Sequence, residues 1–402
     1  MVNKIRHFPF LTGKLAKRVN GVTDFKGVLM GYSLLEGNEA IAHGAIAAGC
    51  RFFAGYPITP ATTIYHTMLN LLPSVGGICL QGEDEIASIG FCLGASMAGM
   101  KVMTATSGPG ISLYSENISF ALGSEIPIVI VDVQRLGPST GSATRGADGD
   151  INFLRWGNSG GMPVIVLAPV DVNDCFTLTI QAFNLAEKFR CPVFIASNKE
   201  IGMTRESIDL DGLNLPDLIK RTPAPSKPPF RPFQADTAQT VPGFLPIGDS
   251  VLVRQTSSTH GPDGYITTDA DEIARSQERL KAKLLSAVDQ LTFHETFKRD
   301  DADTLLISYG VTARAAKAVF NERDRQGKPV SLLVLKTLWP VPEPLIRQVA
   351  QSVKRIVVVE MNMGQYVREI KRILPEKQID FLGQMDGRLI RPAQITEVID
   401  SE

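Results

Sequence analysis

Between Gly37 and Ser197, apolar positions alternate between short unbroken runs and longer stretches with helical spacing. GNEAIAHGAIAAG predicts a helix with small residues on one face, suited to close packing, and RFFAG a short buried strand. The turn-rich YPITPATT leads into a helix through IYHTMLNLL. GICLQ and KVMTATS are the next strands, separated by the helix EDEIASIGFCLGASMAG, which has acids in its first turn and glycine at its end. After SGPG, ISLYSENISFALG reads as helical. IPIVIVDV is continuous, apolar and β-branched, as a strand buried on both faces requires. MPVIVLAP, the long helix VNDCFTLTIQAFNLAEKF and the strand CPVFIAS complete the series. Strand–helix alternation at this spacing predicts an α/β fold, a doubly wound parallel sheet with helices on both faces.

The rhythm is expected to break after about Thr204. TPAPSKPPFRPF places five prolines in twelve residues, which excludes a helix or a central strand and predicts an extended linker lying over a surface. Residues 235–299 mix the turn-rich STHGPDGY with a charged helix around DEIARSQERLKAKLLSAVDQ. A second βα series starts near Asp303 with DTLLISYG, a helix through TARAAKAVFNERDRQG and the single apolar run KPVSLLVLKTLWP. A helix after VPEP and the strand RIVVVEMN follow. The expected division is an N-terminal extension at 1–35, a first α/β domain at 36–205, a linker and connecting segment at 206–300, and a smaller α/β domain at 301–402.

Composition narrows the function classes. A chain of 402 residues suits two or three domains, and 44% hydrophobic with 21% charged residues excludes wholesale disorder. Lys+Arg 41 against Asp+Glu 42 leaves a net charge of -1, without the basic footprint that nucleic acid or an anionic membrane selects. No apolar run approaches the roughly 20 residues of a membrane span. The basic N-terminus lacks the continuous apolar stretch of a secretory signal and the serines of a transit peptide. Five widely spaced cysteines without a C-x-x-C pair argue against a cluster or zinc site in this chain, and a reducing, cytoplasmic compartment is the expectation. The five histidines show no metal-ligand spacing.

Ligands of open parallel sheets bind outside the carboxyl ends of the strands. Four loops are predicted at that edge: Tyr56–Pro60, the acids Glu83, Asp84 and Glu85, Thr106–Gly110, and Arg135 with Gly137–Gly141. The prolines beside Ile58 and Thr59 either make a rigid loop that aims the Thr59 hydroxyl or mark an ordinary connector before a helix. Acids at a helix start are explained by the macrodipole, yet the small and apolar residues after Glu85 would leave its carboxylate poorly solvated and in want of a partner. Thr106–Gly110 is like a phosphate-cradling turn but lacks a Walker lysine, and no GxGxxG follows the first strand. Arg135 and Arg145 are either solvated loop arginines or carboxylate forks.

GYPITPATT, QGEDEIASIGFCLGASMAG, TATSGPGISL and VDVQRLGPSTG together resemble the α subunit of the 2-oxoacid:ferredoxin oxidoreductases, most of all the 2-oxoglutarate type. The resemblance covers residues 36–205 strongly and the C-terminal βα series more loosely. It implies a pyrimidine-binding domain for thiamine diphosphate followed by a domain like the transketolase C-terminal domain. It also implies a partner β subunit carrying the diphosphate, Mg²⁺ and [4Fe–4S] sites, a γ subunit, coenzyme A as co-substrate, and a ferredoxin or other electron-transfer subunit. The assembly would be a heteromultimer, a dimer of heteromers, with this chain contributing half of an active site.

By the same resemblance Glu85 is the cofactor-activating glutamate, nine positions before Gly94. Its carboxyl would hold the imino tautomer of the pyrimidine, whose nitrogen takes the thiazolium proton. Tyr56, Pro57 and Ile58 line the cofactor, Thr59 contacts substrate, and Arg135 pairs with the carboxylate beside the keto group. Arg145 stands where broader-specificity members place another basic contact, in a loop that has Ala143 instead of the usual proline. The expected reaction is CoA-dependent oxidative decarboxylation of 2-oxoglutarate to succinyl-CoA. Pyruvate, branched-chain or aryl 2-oxo acids such as phenylglyoxylate, and NAD as final acceptor, stay open. So do a non-oxidative thiamine enzyme and a non-catalytic docking subunit.

Overall fold

The computed structural model describes residues 31–401, so most of the stretch expected as an N-terminal extension lies outside the described residues. The strands of the first half are β1 (Tyr32–Glu36), β2 (Phe52–Gly55), β3 (Ile78–Gln81), β4 (Val102–Thr106), β5 (Ile128–Gln134), β6 (Ile165–Leu167), β7 (Pro192–Asn198) and β8 (Arg205–Asp209). Those of the second half are β9 (His294–Phe297), β10 (Thr304–Tyr309), β11 (Ser331–Leu335), β12 (Thr337–Trp339), β13 (Arg355–Glu360) and β14 (Gln378–Gly383). Seven form the larger sheet in the order β12-β6-β7-β5-β4-β2-β3, parallel except for β12 against β6. Five form the smaller sheet in the order β14-β13-β10-β11-β9, parallel except for β9 against β11.

The central strands of both larger sheets are covered on both faces, which is why their runs carry no polar alternation. In β5 the residues Val129, Val131 and Val133 enter one apolar core while Ile128 and Ile130 enter the other. Strands β7, β11 and β13 divide their side chains the same way. The helix Gly37–Ala47 lies against the helix Val172–Phe189, and Gly44 is what lets them touch. A Cβ at Gly44 would sit 2.6 Å from the Phe176 carbonyl oxygen.

Two sequence expectations are corrected. The regular pattern does not end at Thr204, because β8 pairs antiparallel with β1 in a two-stranded ribbon. Tyr32 and Leu34 on that ribbon are exposed, so neither strand carries the apolar run that would have announced it. KPVSLLVLKTLWP is not one element: β11 belongs to the smaller sheet and β12 crosses to the edge of the larger one. The edge strands β9 and β14 carry only a weak sequence signal, because one side of each stays partly exposed and the hydrophobic pattern is halved.

Lys336, between β11 and β12, marks the crossing. Its ammonium pairs with Asp174 on the helix Val172–Phe189 at 2.7 Å and with Glu295 on β9 at 2.7 Å. Burial works against the lysine charge, but the two carboxylates outweigh it and hold its pKa above the ordinary value. Lys336→Met is therefore expected to destabilise the protein by about 2 kcal/mol, between exposed and fully buried ion pairs. The urea unfolding midpoint measures this, and an unchanged midpoint would show that the bridge contributes nothing.

The proline-rich segment runs without regular structure and is held by two buried guanidinium groups. Arg221 donates to Glu187 at 2.7 and 3.1 Å and to the carbonyls of Ser96 and Met100, with its guanidinium over the Phe244 ring. Arg190 donates to the carbonyls of Pro232, Pro242 and Gly243. A segment unable to form its own ladder has its carbonyls satisfied by side chains of the domain beneath.

Candidate active site

Strands β5, β4, β2 and β3 are neighbours and parallel, so the loops leaving them open along one edge of the larger sheet. That brings the four sequence-predicted loops to one side of the molecule. After β3, Asp84 caps the helix Glu85–Met97 by accepting from the Ala87 N–H at 2.7 Å. The cap puts Glu85 in the first turn, where it is 7% exposed. Its carboxylate lies against the turn after β4: a Cβ at Gly110 would fall 2.9 Å from Glu85 Oε1 and 2.0 Å from Thr106 Oγ1. Gly110 therefore has no side chain because the acid and the threonine occupy that space. The hydroxyls of Thr106 and Ser107 are buried there without a hydrogen-bond partner.

Arg135, first residue after β5, is 5% exposed. The reading of it as a solvated loop arginine is thereby corrected. Its Nη1 donates to the Thr59 carbonyl at 2.6 Å, while Nε is buried and unpartnered. Burial lowers its pKa, and the nearby Asp150 opposes that shift. Thr59 itself is exposed, as is Tyr56, while Pro57 and Ile58 are half-buried and Ile58 packs on the core. The loop is also held from below by Asn38, which donates to the Pro60 carbonyl at 2.8 Å and to Thr63 Oγ1 at 2.7 Å. Asn38 carried no sequence signal, since an asparagine at a helix start reads as a cap.

Arg145 does not join this group by any side-chain bond. It is exposed, and its stem lies over Gly387, where a Cβ would meet it at 2.8 Å. The loop between Arg135 and Asp150 is closed by its own backbone: Leu136 N–H donates to the Arg145 carbonyl and Ser142 N–H to the Leu136 carbonyl, both at 2.8 Å. Its far end reaches the smaller sheet, where Asp148 N–H donates to the Met361 carbonyl and Asn362 Nδ2 donates to the Asp148 carbonyl. Glu360, at the carboxyl end of β13, accepts from Tyr309 and from the Tyr366 and Val367 N–H groups. The carboxyl edges of both sheets thus converge on this loop.

The family described as pyruvate flavodoxin/ferredoxin oxidoreductase, thiamine diphosphate-binding, matches residues 43–279, and the pyruvate:ferredoxin oxidoreductase core domain II matches residues 302–395. The chain belongs to this oxidoreductase family. It is 40% identical over 373 residues to the 2-oxoglutarate synthase subunit KorA of Methanothermobacter marburgensis, covering 91% of this chain and 97% of that protein. The 2-oxoglutarate:ferredoxin oxidoreductase of Magnetococcus marinus, solved with 2-oxoglutarate, coenzyme A and succinyl-CoA bound, superposes with a TM-score of 0.86 at 30% identity. That match covers 92% of this chain and 65% of the solved one. A split-gene transketolase shares the fold at a TM-score of 0.53 and 12% identity, over 88% of this chain and 91% of that one.

For a member of this family the edge fits the pyrimidine side of thiamine diphosphate. The buried Glu85 carboxylate and the unpartnered Thr106 hydroxyl lie against the same glycine turn, next to the buried, unpartnered Ser107 hydroxyl, a donor and acceptor set suited to a polar ring. Among the described residues no group of three or more His, Cys, Asp or Glu is arranged to hold a metal ion. Among the described residues no helix is long and apolar enough to cross a membrane.

Proposed function

We propose that this chain is the pyrimidine-side subunit of an enzyme that oxidatively decarboxylates 2-oxoglutarate to succinyl-CoA. The observation that carries the reading is Glu85, a buried first-turn carboxylate against Gly110, on the same edge as the Arg135–Thr59 contact. The names of the similar subunit and of the superposed enzyme, both 2-oxoglutarate proteins, support the substrate. Tyr56, Pro57, Ile58 and Glu85 would hold the cofactor ring, and Thr106 and Ser107 supply further hydroxyls. When bound, thiamine diphosphate supplies the nucleophilic carbon and the electron sink for loss of carbon dioxide. Glu85 holds a proton toward the ring, and the turn at Gly110 packs against that carboxyl. Arg135 offers its free guanidinium edge to the carboxylate next to the keto group, and Thr59 presents its hydroxyl beside it. Arg145, exposed on the outer part of the loop, is the cation for the distal carboxylate.

Mg²⁺, the diphosphate site and a [4Fe–4S] cluster belong in this proposal to a β subunit, with a γ subunit completing a heteromultimer. Coenzyme A takes the acyl group and ferredoxin the electrons, in the cytoplasm. The division of the chain at 36–205, 206–300 and 301–402 is part of the same reading, supported by the two larger sheets, with β12 of the last segment crossing to the edge of the first. The test is a panel of 2-oxo acids with the co-purified complex, coenzyme A and a low-potential dye. Preference for 2-oxoglutarate is expected, and turnover of pyruvate or an aryl 2-oxo acid alone would overturn the substrate. Arg135→Lys is expected to lower kcat/KM by about ten- to hundredfold, the worth of one charged hydrogen bond, because an ammonium cannot brace Thr59 and bind a carboxylate together. An unchanged kcat/KM would remove Arg135 from substrate binding.

A further inference from the structure

Strand β5 reads Ile-Val-Ile-Val-Asp-Val-Gln, and every residue in it is buried. Asp132 is its one acid, with no exposure, and neither of its carboxyl oxygens meets an N–H or hydroxyl donor. A lone carboxylate in that position would be an uncompensated buried charge. A second buried acid, Asp150, stands close to it, and its Oδ2 is likewise without a hydrogen-bond donor. Two carboxylates are acceptors only, so the pair can bond each other only with a proton between them. Asp150 closes the loop that Arg135 opens, and its own N–H donates to Gln134 Oε1 at 2.9 Å. Asp132 and Gln134 sit two residues apart on the same side of the strand and grip the far end of the loop together. The pair also underlies the turn after β4: a Cβ at Gly108 would lie 3.7 Å from Asp150 Oδ2.

We infer that Asp132 and Asp150 are positioning residues that share one proton and thereby pin the loop 135–150, holding Arg135 where it meets the substrate carboxylate. The inference rests on the reading of Arg135 given above. With the proton present, the loop is tied to β5 at both ends. Without it, two negative charges stand side by side, the far end is repelled, and Arg135 loses the fixed backbone from which it braces Thr59.

The surroundings favour keeping the proton. Burial, then the charges of Asp150 and Asp148, hold the Asp132 pKa well above the carboxylate range. Burial raises Asp150 as well, against the opposing Asp132 hydrogen bond and the Arg135 charge. Asp148 is pushed up to about 7 by burial and by the charges of Glu360 and Asp150, although Asn198 donates to it at 2.7 Å. Of the charged groups acting on the pair, Arg135 is a cation and Asp148 an acid, with Glu360 beyond it. A carboxyl whose proton affinity rises on folding contributes stability that is whole in acid and is lost as pH rises through its folded pKa. The latch therefore opens on the alkaline side.

The test uses the assembled complex and the variant D132N, whose amide N–H can donate to Asp150 at every pH. In the natural enzyme KM for 2-oxoglutarate is expected to climb in alkaline buffer by at most about tenfold per pH unit, the slope of one proton, with kcat moving less. In D132N that climb is expected to vanish. Hydrogen exchange gives the readout independent of substrate: the amides of Leu136, Asp148 and Asp150 are expected to lose protection in alkali in the natural enzyme and keep it in D132N. If the complex turns over no 2-oxo acid, the exchange arm alone decides whether the proton is shared. D150N is the mirror variant should D132N fail to fold. The same alkaline climb in a folded variant, or natural-enzyme amides that stay protected, would overturn the inference.

Discussion

Glu85→Gln is expected to leave the complex assembled while lowering turnover of 2-oxoglutarate by about two to four orders of magnitude, the range for removing a positioned acid–base group. Glutamine keeps the size that fills the space over Gly110, and the Asp84 cap on Ala87 is untouched. The helix start loses only a favourable dipole interaction of about 0.3–1 kcal/mol, so folding should survive. What the variant lacks is a carboxyl that can both hold and release a proton toward the ring. Dye-coupled turnover, with size-exclusion chromatography as the check on assembly, measures the effect. Near-normal turnover in an intact complex would take Glu85 out of the mechanism.

The largest expected effect on stability lies elsewhere, at Glu125. This residue, in the left-handed backbone region at φ 51°, ends the turn before β5 and is 1% exposed. Arg279 grips its carboxylate with two bonds, at 2.9 and 2.5 Å, and Lys283 adds a third at 2.9 Å. Both cations come from the helix Ala270–Leu285, so the carboxylate clamps that helix to the larger sheet. Glu125→Ala leaves two buried cations unpaired and is expected to destabilise the protein by about 3–5 kcal/mol. Burial alone would raise the Glu125 pKa, but Lys283 and Arg279 outweigh it and hold it far below 4.5. A depressed carboxylate contributes stability above its unfolded pKa and loses it as pH falls through the folded one. Glu125→Gln should therefore flatten the acid side of the stability–pH curve, as read by thermal unfolding across acidic buffers. An unaltered acid side would show that the clamp is not what acid breaks.

What could be read along the chain follows from what local chemistry reports. The unbroken runs of β5 and β7 are legible because both faces of a parallel strand are buried, and a two-sided core leaves no polar alternation. The placement of Tyr56, Glu85, Thr106 and Arg135 on one edge was legible for the same reason, since parallel strands put all their exits on one side. Asp132 was visible as an acid in an apolar strand, the one signal that could have led to the buried pair, but a single residue does not name its partner.

The chain by itself determined the fold class, the family motifs and the loops that carry the candidate chemistry, because periodicity and turn residues act over a few neighbours. Only the tertiary structure decided that Arg135 is spent partly on Thr59, that Asp132 and Asp150 both bury oxygens without a donor, and that the run through Lys336 is divided between two sheets. Those outcomes depend on which groups a folded backbone brings within a few ångströms across long stretches of sequence. Burial then fixes which of them must share a proton or a charge.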